Sequence, residues 1–169
     1  MGDAQVAIIM GSDSDWPVME ACYKQLKDFG LAAEVQVISA HRTPDRLTQY
    51  IQEAEQQGVS VFVAAAGMAA ALPGAVAALT TRPVIGVPLA SGALQGVDSL
   101  LSIVQMPPGV PVATVAVGSA GAKNAAVLAA QMIALAKPEV AEAMKQFKEK
   151  QARTTISKNE KLQEQMRGN

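Results

Sequence analysis

Val6-Ala7-Ile8-Ile9-Met10-Gly11-Ser12-Asp13-Ser14-Asp15-Trp16-Pro17 decides the fold class. An unbroken apolar run from Val6 to Met10 suits a strand covered on both faces, as in a parallel sheet. Gly11 lets the chain turn sharply. Ser14 can cap a helix beginning at Asp15, and Pro17 is tolerated in the first turn. That helix reads from Trp16 to Phe29 and is closed by Gly30.

Outward from this unit the alternation repeats. Glu34–Ile38, Val61–Ala65, Val84–Val87 and Val112–Val117 read as further strands. Pro44–Gln57, Ala69–Leu79 (entered or kinked at Pro73-Gly74), Gly96–Gln105 and Lys123–Leu135 read as helices. Strand–helix units of this length imply an α/β domain, a parallel sheet with helices on both faces.

Composition narrows the function. At 169 residues the chain fits one domain with a sizeable core. With 14 basic against 15 acidic side chains, electrostatics give no reason to expect nucleic acid or an anionic membrane as partner. The single cysteine, Cys22, excludes an internal disulfide and a cysteine-built metal site; it reads as core packing. The single histidine, His41, excludes an all-histidine site within one chain, so no metal is expected. Aromatics are 4% of residues, too few for a stacking platform. Met1–Gln5 has no basic segment of a secretory signal, and Gly2 lacks the following Ser or Thr of a myristoylation site. Val61–Leu79 is apolar but broken by Gly67, Pro73 and Gly74, and reads as strand plus helix. A reducing cytoplasm is the expected compartment.

The composition shifts at Pro138. Residues 1–137 read as the α/β domain. Residues 138–169 read as a Lys-, Glu- and Gln-rich helical tail with a thin stripe of Val140, Met144, Phe147, Ile156 and Leu162. That stripe suits packing along the domain or on a neighbouring subunit.

In an open parallel sheet, ligands bind beyond the carboxyl ends of the strands. Polar residues gather at the first two such ends and are sparse after the third and fourth, Ala66–Ala70 and Pro88–Gly92. In Gly11–Asp15, hydroxyls and helix-start N–H groups favour a monophosphate or ribose, and Asp15 suits sugar hydroxyls. The stretch is neither a Walker loop nor Gly-x-Gly-x-x-Gly. In Ser39–Asp45, Thr43 and Pro44 make a helix start with Thr43 as cap, which leaves His41 and Arg42 unexplained. His41 suits either a structural or an acid–base role; Arg42 can fork onto a phosphate. There is no nucleophile elbow for a Ser–His–Asp hydrolase. Lys123 and Asn124, in the Gly-rich loop from Gly118, suit a ligand contact or a plain surface helix start.

At these residues the sequence resembles the PurE family. The likeness is carried by Met10–Trp16, Ser39–Pro44, Leu72-Pro73-Gly74, Pro83–Pro88 and Gly96–Pro107, within a stretch from about Val6 to Leu135. It implies a three-layer flavodoxin-like fold with a C-terminal helical extension. It also implies a homo-octamer with sites between subunits, and a mutase acting on N5-carboxyaminoimidazole ribonucleotide (N5-CAIR) in purine synthesis. The intact Ser-Asp-Trp and Ser-Ala-His-Arg-Thr-Pro runs resemble the bacterial-type, class I branch. By the same resemblance His41 is the catalytic acid–base. Ser12, Ser14, Asp15, Ser39 and Arg42 bind the ribonucleotide, Asp15 at the ribose and Arg42 with the serines at the phosphate. Gly67, Met68, Ala69, Ala71 and Leu72 surround base and carboxylate. Here the chain departs from the usual Gly-Gly-Ala-Ala-His-Leu-Pro-Gly: Met68 stands for a glycine and Ala71 for the histidine.

The implied chemistry suits one imidazole. Moving the carboxylate from the exocyclic nitrogen to C4 takes one proton from C4 and returns one to nitrogen, which one group can do. No cofactor is required, provided a closed pocket holds CO2 beside C4. Two other readings remain at this level: a CO2-dependent aminoimidazole ribonucleotide carboxylase, and a noncatalytic nucleotide or flavin binder. Against flavin, only Trp16 lies near a binding loop.

Overall fold

A computed structural model describes residues 4–167. The ends of the two expected units, residues 1–3 and 168–169, lie outside the described residues. Five strands form one parallel sheet: β1 (Val6–Met10), β2 (Ala33–Val37), β3 (Val61–Gly67), β4 (Val84–Leu89) and β5 (Ala113–Thr114). Between them run α1 (Trp16–Asp28), α2 (Pro44–Gln56), α3 (Leu72–Leu79) and α4 (Val97–Val104). After β5 come α5 (Ser119–Ala134) and α6 (Pro138–Arg167). The spatial order is β2-β1-β3-β4-β5, the flavodoxin-like doubly wound order.

Successive side chains of a strand point to opposite faces, and both faces are filled here. Val6, Ile8 and Met10 of β1, with Val61, Val63 and Ala65 of β3, meet Met19, Cys22 and Leu26 of α1 and the small face of α5. Ala7, Ile9, Phe62 and Ala64 point the other way, onto Leu47, Tyr50 and Ile51 of α2, Val76 of α3 and Ile103 of α4. That two-sided burial is why the strands read as continuous apolar runs. On α5, Ala122, Ala125, Ala126, Ala129 and Ala130 are fully buried, so helix and sheet approach closely. Gly121 in the first turn of α5 packs on the loop that leads into the helix, where a Cβ would fall 1.6 Å from the Ala116 carbonyl oxygen.

Four local expectations are corrected. The fifth strand is paired only over Ala113–Thr114, not Val112–Val117. It lies at the sheet edge and Pro111 before it has no N–H, so the ladder is thin, continued by Val115 N–H to Gly86 O at 3.1 Å. The third helix begins at Leu72, not Ala69, because the Ala70 and Ala71 N–H groups donate to the Met68 and Ala69 carbonyls at 2.9 and 2.7 Å, tight turns in place of a first helical turn. The last helix of the domain starts at Ser119, earlier than Lys123, with Gly118 at its N-cap position. Neither Ser14 nor Thr43 caps a helix, as the site geometry below explains.

The tail is a 30-residue helix. Val140 and Met144 are buried and Phe147 packs edge-on against Phe29, with ring centroids 5.2 Å apart. From Gln151 to Arg167 every residue is exposed within the single chain. The expected stripe therefore docks over its first half alone.

Candidate active site

The chain leaves β1 toward β2 on one side and enters β3 on the other, so strand order reverses at β1. Loops diverge there and leave a crevice at the strands' carboxyl ends. A cleft of about 480 Å³ occupies it. Its walls are the loops after β1 (Gly11, Ser12, Ser14, Asp15), β2 (Ser39, Ala40, His41, Arg42) and β3 (Ala66 to Ala69, Ala71, Leu72), with Ser91 from the loop after β4. The residues that the resemblance assigns to catalysis and binding thus line one cleft. Lys123 and Asn124 do not; they lie on the exposed face of α5. A larger groove of about 710 Å³ runs between α1 and α6, but its walls are Phe29, Phe147, amides and surface charges, with no convergent acid–base group.

The first loop closes on itself as a capping box. Ser12, not Ser14, is the cap of a single 3-10 turn, Asp13–Asp15. Its hydroxyl accepts from the Ser14 N–H at 3.3 Å, and its own N–H donates to Asp15 Oδ2 at 3.1 Å. Ser14 is left with its hydroxyl donating to Ser12 Oγ at 2.8 Å. Asp15 is half-buried at the start of α1. Burial raises its carboxyl above the ordinary value, against the pull of the Ser12 and Gly11 N–H groups, and Asp13 nearby raises it further.

The second loop is tied by Thr43, whose hydroxyl accepts from the Ser39 N–H at 3.1 Å and donates to the Ser39 carbonyl at 3.0 Å. Thr43 sits at the N-cap position of α2, yet its side chain faces back into the loop and caps nothing. This turn presents Ser39, His41 and Arg42 toward the cleft. The Arg42 guanidinium crosses to the first loop: Nη2 donates to Gly11 O at 2.8 Å and Nε to Ser39 Oγ at 3.2 Å. A fork held at two of its donors keeps the others in a fixed direction. His41 beside it is exposed in the single chain.

The third wall is apolar, Ala66 to Leu72, and interlocks with the fourth. A Cβ on Gly67 would fall 1.9 Å from Ser91 Oγ, so a larger residue there would force the seryl hydroxyl to turn aside. Ser91 was not singled out from sequence. It sits among Leu89, Ala90 and Gly92, where polar content is low; the rule that strand ends carry the site is the signal that reaches it. The cleft thus combines a guanidinium held at two of its donors, a half-buried carboxyl, one imidazole and a small apolar wall. Among the described residues no group of three His, Cys, Asp or Glu side chains is placed to hold a metal ion.

The family model described as AIR carboxylase matches residues 5–154. The chain belongs to the AIR carboxylase family. The match takes in every wall of the cleft and the first part of α6. Within the family's range, the N5-carboxyaminoimidazole ribonucleotide mutase of Pyrococcus abyssi is 58% identical over 149 residues, 88% of this chain and 84% of that protein. The protein of the same name from Thermotoga maritima is 51% identical over 160 residues, 95% of this chain and 92% of its own. A crystal structure of Treponema denticola PurE superposes with a TM-score of 0.85 at 32% identity, covering 93% of this chain and 97% of that one. No helix among the described residues is long and apolar enough to cross a membrane.

Proposed function

We propose that this chain catalyses the reaction its relatives are named for, the isomerisation of N5-CAIR to 4-carboxyaminoimidazole ribonucleotide (CAIR), and that the cleft is where it does so. The observation that carries the site assignment is the meeting of His41 and Arg42, after β2, with Asp15, after β1, in one cleft that faces the apolar wall after β3. Arg42, with Ser12, Ser14 and Ser39, takes the 5′-phosphate; Asp15 accepts from the ribose hydroxyls. The imidazole ring then lies toward His41, and the carboxylate toward Gly67, Met68, Ala69, Ala71 and Leu72.

His41 is the only imidazole in the chain, so one group balances both proton transfers. As imidazolium it protonates the exocyclic nitrogen while the N–CO2 bond breaks, leaving the pair on nitrogen and releasing CO2. The amine's electron density reaches C4, which attacks CO2 and forms the C–C bond. Neutral His41 removes the C4 proton and returns to its starting form. Charge and protons balance, and no electrons leave the substrate. General acid–base catalysis of this kind supplies about 10²–10⁴-fold, and confinement of CO2 beside C4 supplies the rest.

Self-association belongs to the same reading. Val97, Leu101 and Val104 form an exposed apolar row along α4, with Leu94 exposed in the turn before it, and Ile156, Leu162 and Met166 are exposed on the undocked half of α6. Rows of this kind suit subunit contact, here in a homo-octamer with the tail on a neighbour. The cytoplasm is the compartment in which a nucleotide precursor is met.

Two assays test the activity: purified protein with N5-CAIR, and with aminoimidazole ribonucleotide (AIR) plus bicarbonate. Fast conversion of N5-CAIR and slow carboxylation of AIR is the expected result. The reverse ranking would make the chain a carboxylase, and a light-scattering mass of one subunit would remove the octamer.

A further inference from the structure

One side chain closes the loop after β2. Thr43 precedes Pro44, and a residue before proline is pushed out of the helical region; its φ is −138° and its ψ 54°. In that conformation Thr43 makes three hydrogen bonds to a single residue. Its Oγ1 accepts from the Ser39 N–H at 3.1 Å and donates to Ser39 O at 3.0 Å, and its own N–H donates to the same carbonyl at 2.9 Å. Ala40, His41 and Arg42 lie between the joined ends, with His41 in the middle. Arg42 has further anchors, on Gly11 O and Ser39 Oγ. Among the described residues no backbone hydrogen bond reaches Ala40 or His41, so the closure sets the direction in which His41 leaves the chain.

We infer that Thr43 is a positioning residue for the proton transfers: its hydroxyl fixes the backbone on which His41 stands, and through it the place of the imidazole. This rests on the mutase reading above. The demand on position is steep, because one ring must reach two atoms of the substrate, giving a proton to the exocyclic nitrogen and taking one from C4. Each transfer needs heavy atoms within about 2.6–3.2 Å, and a displacement of about 1 Å costs up to about 10²-fold. Two of the three closing bonds use the hydroxyl. Without it only the Thr43 N–H to Ser39 O bond is left to close the loop.

The test compares Thr43→Val, Thr43→Ser and Thr48→Val with wild type, as full-length enzymes converting N5-CAIR, with a thermal melt of each. Valine keeps the branched shape and removes the hydroxyl; serine keeps the hydroxyl. Thr48 is the control: its hydroxyl also donates to a backbone oxygen of α2, Pro44 O at 3.2 Å, but lies outside the loop. Thr43→Val is expected to fold and to lose about 10-fold or more in kcat, with KM little changed because Arg42 keeps Gly11 O. Thr43→Ser is expected to restore kcat, and Thr48→Val to leave it at the wild-type value. Thr43→Ala, which also lacks the hydroxyl, is expected to repeat the loss and decides the point if the valine variant does not fold. A folded Thr43→Val or Thr43→Ala enzyme at wild-type kcat overturns the inference. So does a loss that serine fails to restore, one that appears in KM alone, or one that Thr48→Val shares. A wild type that makes no CAIR at all overturns the reaction assignment itself, a distinguishable failure.

Discussion

Arg42→Lys separates the geometry of the guanidinium from its charge. In the structure Nη2 is held by Gly11 O at 2.8 Å and Nε by Ser39 Oγ at 3.2 Å. The remaining donors of the five-donor fork are free for a phosphate and fixed in direction. Lysine keeps the charge but has one flexible ammonium, so it replaces a two-point contact by a single point. Losing one charge-assisted hydrogen bond costs about 1.5–3 kcal/mol. At about 1.4 kcal/mol per factor of ten, CAIR affinity falls roughly 10- to 150-fold. The tie to Gly11 is lost as well, a net effect of about 0.5–1.5 kcal/mol, which lowers Tm by no more than about 6 °C. Calorimetric titration with CAIR and with its dephosphorylated nucleoside reads the first effect; a thermal melt reads the second. The penalty should appear with the nucleotide and vanish with the nucleoside, because nothing remains for the fork to hold. An equal penalty for both ligands, or none for either, would refute the placement of the phosphate at Arg42.

Other expectations follow from single contacts. Asp15→Asn keeps an acceptor for the Ser12 N–H but removes a carboxylate whose folded value is raised by burial. A raised group favours folding fully below its unfolded value and loses that contribution as pH rises through its folded value. The variant should therefore melt higher than wild type at neutral pH, match it in acid, and bind CAIR more weakly; a lower neutral-pH Tm contradicts this. Cys22 is fully buried and its thiol is pushed up to about 12. A thiol reagent should leave native protein unlabelled and react once it is unfolded, and labelling of the native state contradicts the packing. Gly121→Ala drives a methyl onto the Ala116 carbonyl, which cannot rotate away. Overpacking of about 1–3 kcal/mol should lower Tm by roughly 2–12 °C, and an unchanged melt contradicts the tight packing of the first turn of α5 on the loop before it.

Most of the sheet is legible in the sequence because burial on both faces leaves unbroken apolar runs, as in Val6–Met10 and Val61–Ala66. The edge is harder. Val112–Val117 has the right residues for a strand, but strand length is set by a neighbour, and β5 has one only on the β4 side. Helix starts fail for a related reason. Ser12, Ser14 and Thr43 are all capping types, and which hydroxyl meets which N–H depends on the turn of the loop. The loops after β1 and β2 declare the site by polar residues that core packing does not need. Ser91 is silent because its partner, Gly67, lies 24 positions away and only the β3–β4 pairing brings them together.

The most direct measurement is single-turnover conversion of N5-CAIR by His41→Asn, beside its affinity for CAIR. The imidazole lies in the cleft with no second one in the chain to replace it. Conversion slowed by about 10²–10⁴-fold with CAIR still bound is the predicted result. A variant that turns over N5-CAIR at near wild-type speed would contradict the account at its centre.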